Sequence, residues 1–332
     1  MVQSNEPFGV SGTKFIRIIG LTAKILLLVA MSWYLYATFQ KQGQDFVSIY
    51  WLIVNNLTAQ NTVLLAAVLG MTFLNWATEA LKWQTLAQRV ERLRFGEALA
   101  GVFAGLAMGF VMPNNIGDAT GRIMSLKSKK RLGSIGAALV SNGVQFYVSL
   151  LFGMLGWAYF LYHQPSLQIW YNFVLLIALF GTLIFGVFVL YSRQRAANYL
   201  SRYSLFQKIV PYIGIIAQYR RSEIGKAFGW AVLRYGVFSV QFGLLLFIFN
   251  VKLPIVTMAA GIWLVFFSKT LIPAINLLGD LGIREASSLY VFGFYGVAPA
   301  NVIAATITLW AINILAPTIV GAFYISKIKF ST

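Results

Sequence analysis

The chain has 332 residues, 59% of them hydrophobic and only 11% charged, with a mean hydropathy of +0.74. Soluble domains carry about 25% charged residues, so a water-soluble globule is excluded; apolar runs near the ~20-residue spanning length recur instead, which makes this an all-α polytopic membrane protein. The formal charge of +17, from 26 Lys and Arg against 9 Asp and Glu, falls in short clusters beside those runs, the pattern of helix orientation and anionic-lipid contact rather than of nucleic-acid binding.

The alternating strands of about ten residues that build a membrane β-barrel are not found. The absence of cysteine removes disulfides, thiol catalysis and thiolate metal sites. The single histidine, His163, lies in a short polar connection, so no metal and no cofactor are expected.

Residues 1–13 read as a disordered terminus, and 14–330 as one integral membrane domain. Lys14, Arg17 and Lys24 lead into an apolar run from Ile16 to Phe39 with no small-residue cleavage site, so the first span is expected to be retained. A polar connection, Gln40 to Asn61, follows. The second span, about Thr62 to Leu81, ends in Lys82, Arg89, Arg92 and Arg94, which the positive-inside rule places in the cytoplasm together with the N-terminus. Next, an apolar limb from Ala98 to Met112 breaks at Pro113-Asn-Asn-Ile-Gly-Asp-Ala-Thr-Gly-Arg122, and Lys127, Lys129, Lys130 and Arg131 follow at once. Both flanks are therefore cytoplasmic, and the return of about fifteen residues is too short for a span. The segment reads as a re-entrant hairpin.

A third span, Ser134 to Tyr162, reaches the lightly charged connection at His163 to Gln168. The fourth, Ile169 to Tyr191, returns to a basic loop in which Leu205 to Tyr219 is amphipathic and expected at headgroup level. The fifth, Phe228 to Phe249, exits at Asn250 to Pro254, and the last, Ala300 to Ile325, ends in Lys327 and Lys329. Parity then requires residues 255–298 to begin and end outside, a second hairpin from the opposite face. The expectation is about six full spans, two opposed re-entrant hairpins and both termini in the cytoplasm.

The two hairpin breaks echo one another. Pro113, Gly117-Asp118, Gly121 and Arg122 recur in order as Pro273, Gly279-Asp280, Gly282 and Arg284, with Glu285 added. Proline removes a backbone donor and glycine has low helix propensity, so Pro113, Gly117, Gly121, Pro273, Gly279 and Gly282 are the expected hinge positions. Interrupted segments in corresponding places of two inverted halves, here about 62–162 and 228–325 joined by 163–227, point to a transport site. A charge at the bilayer centre costs roughly 2.5–3.5 kcal/mol on insertion scales unless paired or hydrated. Three of the few acidic residues, Asp118, Asp280 and Glu285, nevertheless fall in these breaks beside Arg122 and Arg284. Internal ion pairs at helical spacing would hold the hairpin tips; recognition of a phosphate-bearing headgroup is the alternative, and the two can coexist.

At these residues the chain resembles the membrane-embedded, flippase-like region of lysylphosphatidylglycerol synthases and stand-alone proteins of the same kind. Lys82-Trp83, the Pro113 to Arg122 break and Gly279-Asp-Leu-Gly-Ile-Arg-Glu285 carry the likeness, over about residues 15–327. It implies opposed re-entrant elements and translocation of charged or glycosylated lipids between leaflets. With Thr332 following soon after the last span, the soluble domain that performs aminoacyl transfer is not expected here, and that reaction is not carried over. Asn114-Asn115 stands where glycines are usual.

Glu79 and Lys82 read chiefly as a pair at a helix end. Arg234 lies too deep in the fifth span for easy snorkelling and is a candidate to face a cavity. Lys269, one turn before Pro273, is expected to meet Asp280, Glu285 or a lipid phosphate. Trp33, Trp51, Trp157 and Trp170 read as interfacial anchors, and Gly101, Gly105 and Gly109 as close-packing positions. The favoured function is a lipid translocase, not an enzyme, in a bacterial plasma (inner) membrane. Its partners would be a phospholipid, a lipid-linked glycan or an aminoacyl lipid, with a homodimer or a transferase partner compatible. An accessory protein presenting a lipid-linked precursor to a transferase is the alternative, and a membrane enzyme acting on lipid phosphates is the least favoured.

Overall fold

The expected second to sixth spans become long helical segments, with shorter helices between them. This is seen in a computed structural model that describes residues 33, 46–57, 61–111, 116–128, 131–164, 169–203, 212, 214–271 and 282–327. The elements are α1 (Phe46–Asn56), α2 (Thr62–Ala87), α3 (Phe95–Val111), α4 (Ile116–Met124), α5 (Ile135–His163), α6 (Trp170–Leu200), α7 (Arg221–Ile248), α8 (Ile255–Leu271), α9 (Ile283–Gly293), α10 (Pro299–Trp310) and α11 (Ala316–Lys327). No strand occurs among the described residues. Five helical segments there are long and apolar enough to cross a membrane: Thr62–Ala87, Arg131–His163, Trp170–Tyr199, Arg221–Ile248 and Pro299–Ile325. The expected first span, 16–39, lies outside the described residues apart from Trp33, as do Pro113, Pro273, Gly279 and Asp280.

The order long, short, short, long occurs twice, as α2-α3-α4-α5 and as α7-α8-α9 followed by the α10–α11 segment. Packing between the two sets is reciprocal. The leading long helices, α2 and α7, lie against each other; α3 packs on α11, and α8 packs on α5. The first short helix of each set thus leans on the closing helix of the other. The larger apolar core follows from this crossing, with Phe242, Leu245, Leu246, Val265, Phe266, Phe292 and Leu309 buried together. Helix α6 packs mainly on α5 and leaves Trp170, Ile177, Phe185 and Phe188 exposed, as a helix facing lipid does.

Two helix starts show their sequence causes. Pro299 occupies the first turn of α10, where its missing N–H is not needed. Gly282 precedes α9 with φ of 96°, a conformation that favours glycine, and its N–H donates to Glu285 Oε2. Pro317 explains the five-residue π-helical turn Ala311–Leu315 between α10 and α11. Its ring would crowd the carbonyl of Asn313 in a regular helix, and a widened turn relieves that clash.

Several expectations are corrected. The stretch 40–61 is not merely a polar connection: Phe46–Asn56 forms α1, too short to span, which packs on α10. Gly117 and Gly121 are not breaks but lie inside α4, where they allow backbone contact with α3. A Cβ at Gly121 would sit 2.5 Å from the Ala104 carbonyl carbon, and one at Gly117 would collide with the Met108 carbonyl. At the described end of 205–219, Ile215 and Tyr219 are buried against the helices. Tyr219 donates its hydroxyl to the Leu86 carbonyl at 2.6 Å. Trp33, Trp51 and Trp170 are exposed, whereas Trp157 packs against the core.

Candidate functional site

The reciprocal packing leaves a cavity of about 380 Å³ among α2, α3, α4, α5, α7 and α8. Its polar character comes from helix-borne charges that the bilayer would not tolerate singly. Glu79 on α2 is the hub. Its Oε1 accepts from Arg122 Nη1 of α4 at 2.8 Å, and its Oε2 meets Lys82 Nζ at 2.8 Å and Arg234 Nη1 of α7 at 2.9 Å. Arg122 turns its other edge to Asp118, with Nε and Nη2 both 2.9 Å from Oδ1. Gln145 of α5 closes the group, its Oε1 accepting from Lys82 at 3.2 Å and Arg234 at 3.4 Å. The side chains of Glu79 and Lys82 are only 2% and 1% exposed, so this is a desolvated network rather than a surface pair.

Local sequence explains why the residues meet. Glu79–Lys82 and Asp118–Arg122 sit three and four residues apart on single helices, spacings that stack side chains on one face. Gly105 on α3 leaves room for α4: a Cβ there would fall 2.7 Å from the Asp118 carbonyl oxygen. Trp83 and Trp76 supply ring faces to the guanidinium groups, at 5.7 Å from Arg122 and 5.3 Å from Arg234.

The expected site residues divide. Asp118, Arg122, Arg234 and Lys269 all line the cavity. Among the described residues that line it, Lys82, Arg122, Arg234 and Lys269 face two carboxylates, Glu79 and Asp118, a formal surplus of two positive charges. Arg284 and Glu285 are not among them. Both are buried in the first turn of α9, where Glu285 caps Gly282. Asp280 lies outside the described residues. Glu79 and Lys82, read from sequence chiefly as a helix-end pair, and Gln145, for which sequence gives no role, also line the cavity. A carboxylate and a lysine one helical turn apart, well inside an apolar run, were the available signal.

A separate buried amide chain adjoins the cavity at Asn75. Asn75 Nδ2 donates to Asn313 Oδ1 at 3.3 Å, and Asn313 Nδ2 donates to Gln241 Oε1 at 3.0 Å. Gln241 Nε2 donates to the Val68 carbonyl and the Thr72 hydroxyl, each at 2.8 Å. It ties α2, α7 and the π-helical turn together beside the charged group. Glu79, held by three cations, is not poised as a general base; the arrangement is built to hold charge.

The comparisons with known proteins fit this picture. A family model described as the lysylphosphatidylglycerol synthase TM region matches residues 22–321. No curated protein and no solved structure matches the chain.

Proposed function

Since the chain belongs to the lysylphosphatidylglycerol synthase TM-region family, we propose that it is a lipid translocase whose cavity takes a phosphate-bearing headgroup between leaflets. The observation that carries this reading is the surplus of cations over carboxylates among the described residues lining the cavity, gathered around Glu79. An anion entering it exchanges water for arginine and lysine donors, which suit phosphate oxygens. Reciprocal packing of the two helix sets supports an inverted repeat, with α3–α4 and α8–α9 as hairpins from opposite faces. The reading includes a multi-pass protein of a bacterial plasma membrane whose chemistry is recognition, not bond-making.

The test is leaflet exchange of labelled phosphatidylglycerol in vesicles holding the purified chain. Exchange should slow at least about tenfold in Arg234→Gln and Lys269→Gln, the loss of one charge-assisted contact of ~1.5–3 kcal/mol. Equal exchange in both variants, the unsubstituted chain and protein-free vesicles would refute it. Headgroup binding without exchange would replace it by a lipid-presenting role.

A further inference from the structure

A second cavity of about 440 Å³ lies between α4 and α5, and its chemistry is opposite to that of the first. Ala119, Ile123 and Met124 form one wall and Leu132, Ile135 and Leu139 the other. Thr120 also borders it, but its hydroxyl donates to the Ile116 carbonyl at 2.7 Å and so leaves an apolar face. Ile116, Leu132 and Leu139 are each more than half exposed, so the crevice is open sideways. Asn142 lines both this crevice and the charged chamber and is their shared wall. At the other end, Leu132 adjoins Arg131, and exposed Lys127, which pairs with Glu97 at 3.1 Å, stands close by in sequence, on the flank that charge parity assigns to the cytoplasm.

We propose that this crevice seats one acyl or polyisoprenyl chain of the lipid whose headgroup reaches the chamber past Asn142. The lipid therefore enters from the leaflet bordered by Lys127 and Arg131. The inference rests on the chamber as a headgroup site and adds where the chain lies and which leaflet feeds it. Three features converge on one occupant. The crevice is apolar apart from Asn142 and the tied-back Thr120, it shares Asn142 with a chamber whose described lining carries a positive surplus, and Arg131 adjoins Leu132 at its other end. An amphiphile with an anionic head and a hydrocarbon tail matches that sequence of surfaces, and basic clusters at this depth attract anionic headgroups. A chain inside gains burial at each methylene, which holds the lipid while the head crosses the Asn142 wall.

The experiment uses the full chain in bilayer discs with phosphatidylglycerol carrying a photoreactive diazirine near the end of one acyl chain. Crosslinks should concentrate on residues 116–139. Ala119→Trp and Leu139→Trp, which fill the crevice, should reduce both the crosslink and leaflet exchange by about tenfold, the loss of roughly two buried methylenes. The chain contains no cysteine, so Phe146→Cys, inside the chamber, reports headgroup binding alone. Soluble glycerol phosphate should protect it from a polar thiol reagent equally with and without the crevice substitutions. Protection retained while the fillings change nothing overturns the crevice and leaves the chamber reading standing. No protection even in the unfilled chain overturns both. Crosslinks spread evenly over lipid-facing helices such as α6, or a Leu139→Cys probe that couples to protein instead of lipid, overturn the crevice as well. Should the tryptophan variants fail to fold, the crosslink map of the unsubstituted chain decides.

Discussion

Replacing Glu79 by glutamine tests whether the chamber is one charge network. The carboxylate touches three cations at 2.8, 2.8 and 2.9 Å. Without it, the formal charge of the group Glu79, Lys82, Asp118, Arg122 and Arg234 rises from +1 to +2, with Lys82 only 1% exposed. Deleting one partner of a buried pair costs about 3–5 kcal/mol, because the remaining charge stays desolvated. Three partners are abandoned here, but Arg234 keeps 22% of its side-chain exposure and is partly relieved by water. A loss of about 4 kcal/mol is expected, read as a shift in the SDS-unfolding midpoint in mixed micelles. Lys82→Met restores the original formal charge, so Glu79→Gln/Lys82→Met should recover ~2 kcal/mol or more of coupling. The single variant should also gain more stabilisation from an anionic headgroup analogue than the unsubstituted chain does, since its cations are unopposed. A Glu79→Gln cost below ~1 kcal/mol, or no recovery in the double variant, refutes the network.

Gly121→Val should unfold or strongly destabilise the chain in a thermal melt, because its side chain meets the α3 backbone, while Gly133→Ala, with open space around it, should change little. Arg89 and Glu223 form a bidentate pair at 2.6 and 3.0 Å, but their side chains are 31% and 25% exposed. Arg89→Ala should therefore cost no more than ~1 kcal/mol, and less still at high salt. Asn313→Ala leaves Gln241 Oε1 without its Asn313 donor in a buried site and should cost about 1–3 kcal/mol in the same unfolding assay. Arg284→Gln should lower stability more than it lowers headgroup protection of Phe146→Cys, because α9 carries Arg284 outside the described chamber lining.

What could be read from sequence was whatever depends on the chain's one-dimensional pattern. Apolar run length identified the helices Thr62–Ala87 and Arg221–Ile248, and the i, i+4 spacing identified the Asp118–Arg122 pair. The depth of Arg234 marks it as a candidate to face a cavity, and it lines one; Lys269, expected to meet Asp280, Glu285 or a lipid phosphate, lines the same cavity. What failed depends on which faces meet. Glu79 looked like a helix-end residue because its second and third partners, Arg122 and Arg234, come from helices 43 and 155 positions away in sequence. Gly117 and Gly121 looked like breaks because low propensity and close packing leave the same letter; only the nearness of Met108 and Ala104 separates them. The motif at Arg284-Glu285 repeats the order of the first break, yet order does not fix which way a side chain turns.

The two carboxylates also bear on how a headgroup could both arrive and leave. Four cations facing a chamber within membrane helices would not fold unopposed, since each carries a desolvation cost. Glu79 and Asp118 meet that cost for Lys82, Arg122 and Arg234 in the unliganded chain. Under the proposed function, a lipid phosphate then competes with Glu79 for Lys82 and Arg234 instead of filling an empty site. Binding is the difference between two sets of charge-assisted contacts and stays modest, as a translocation site requires. The exchange also couples to structure. Glu79 joins α2 to α7 through the Arg234 bond that the phosphate would take over, so headgroup binding loosens the contact that holds α7 against α2. A chamber without Glu79 should then bind anions more tightly and move them more slowly, and measuring both quantities on Glu79→Gln with Lys82 intact would separate this exchange from a purely structural role.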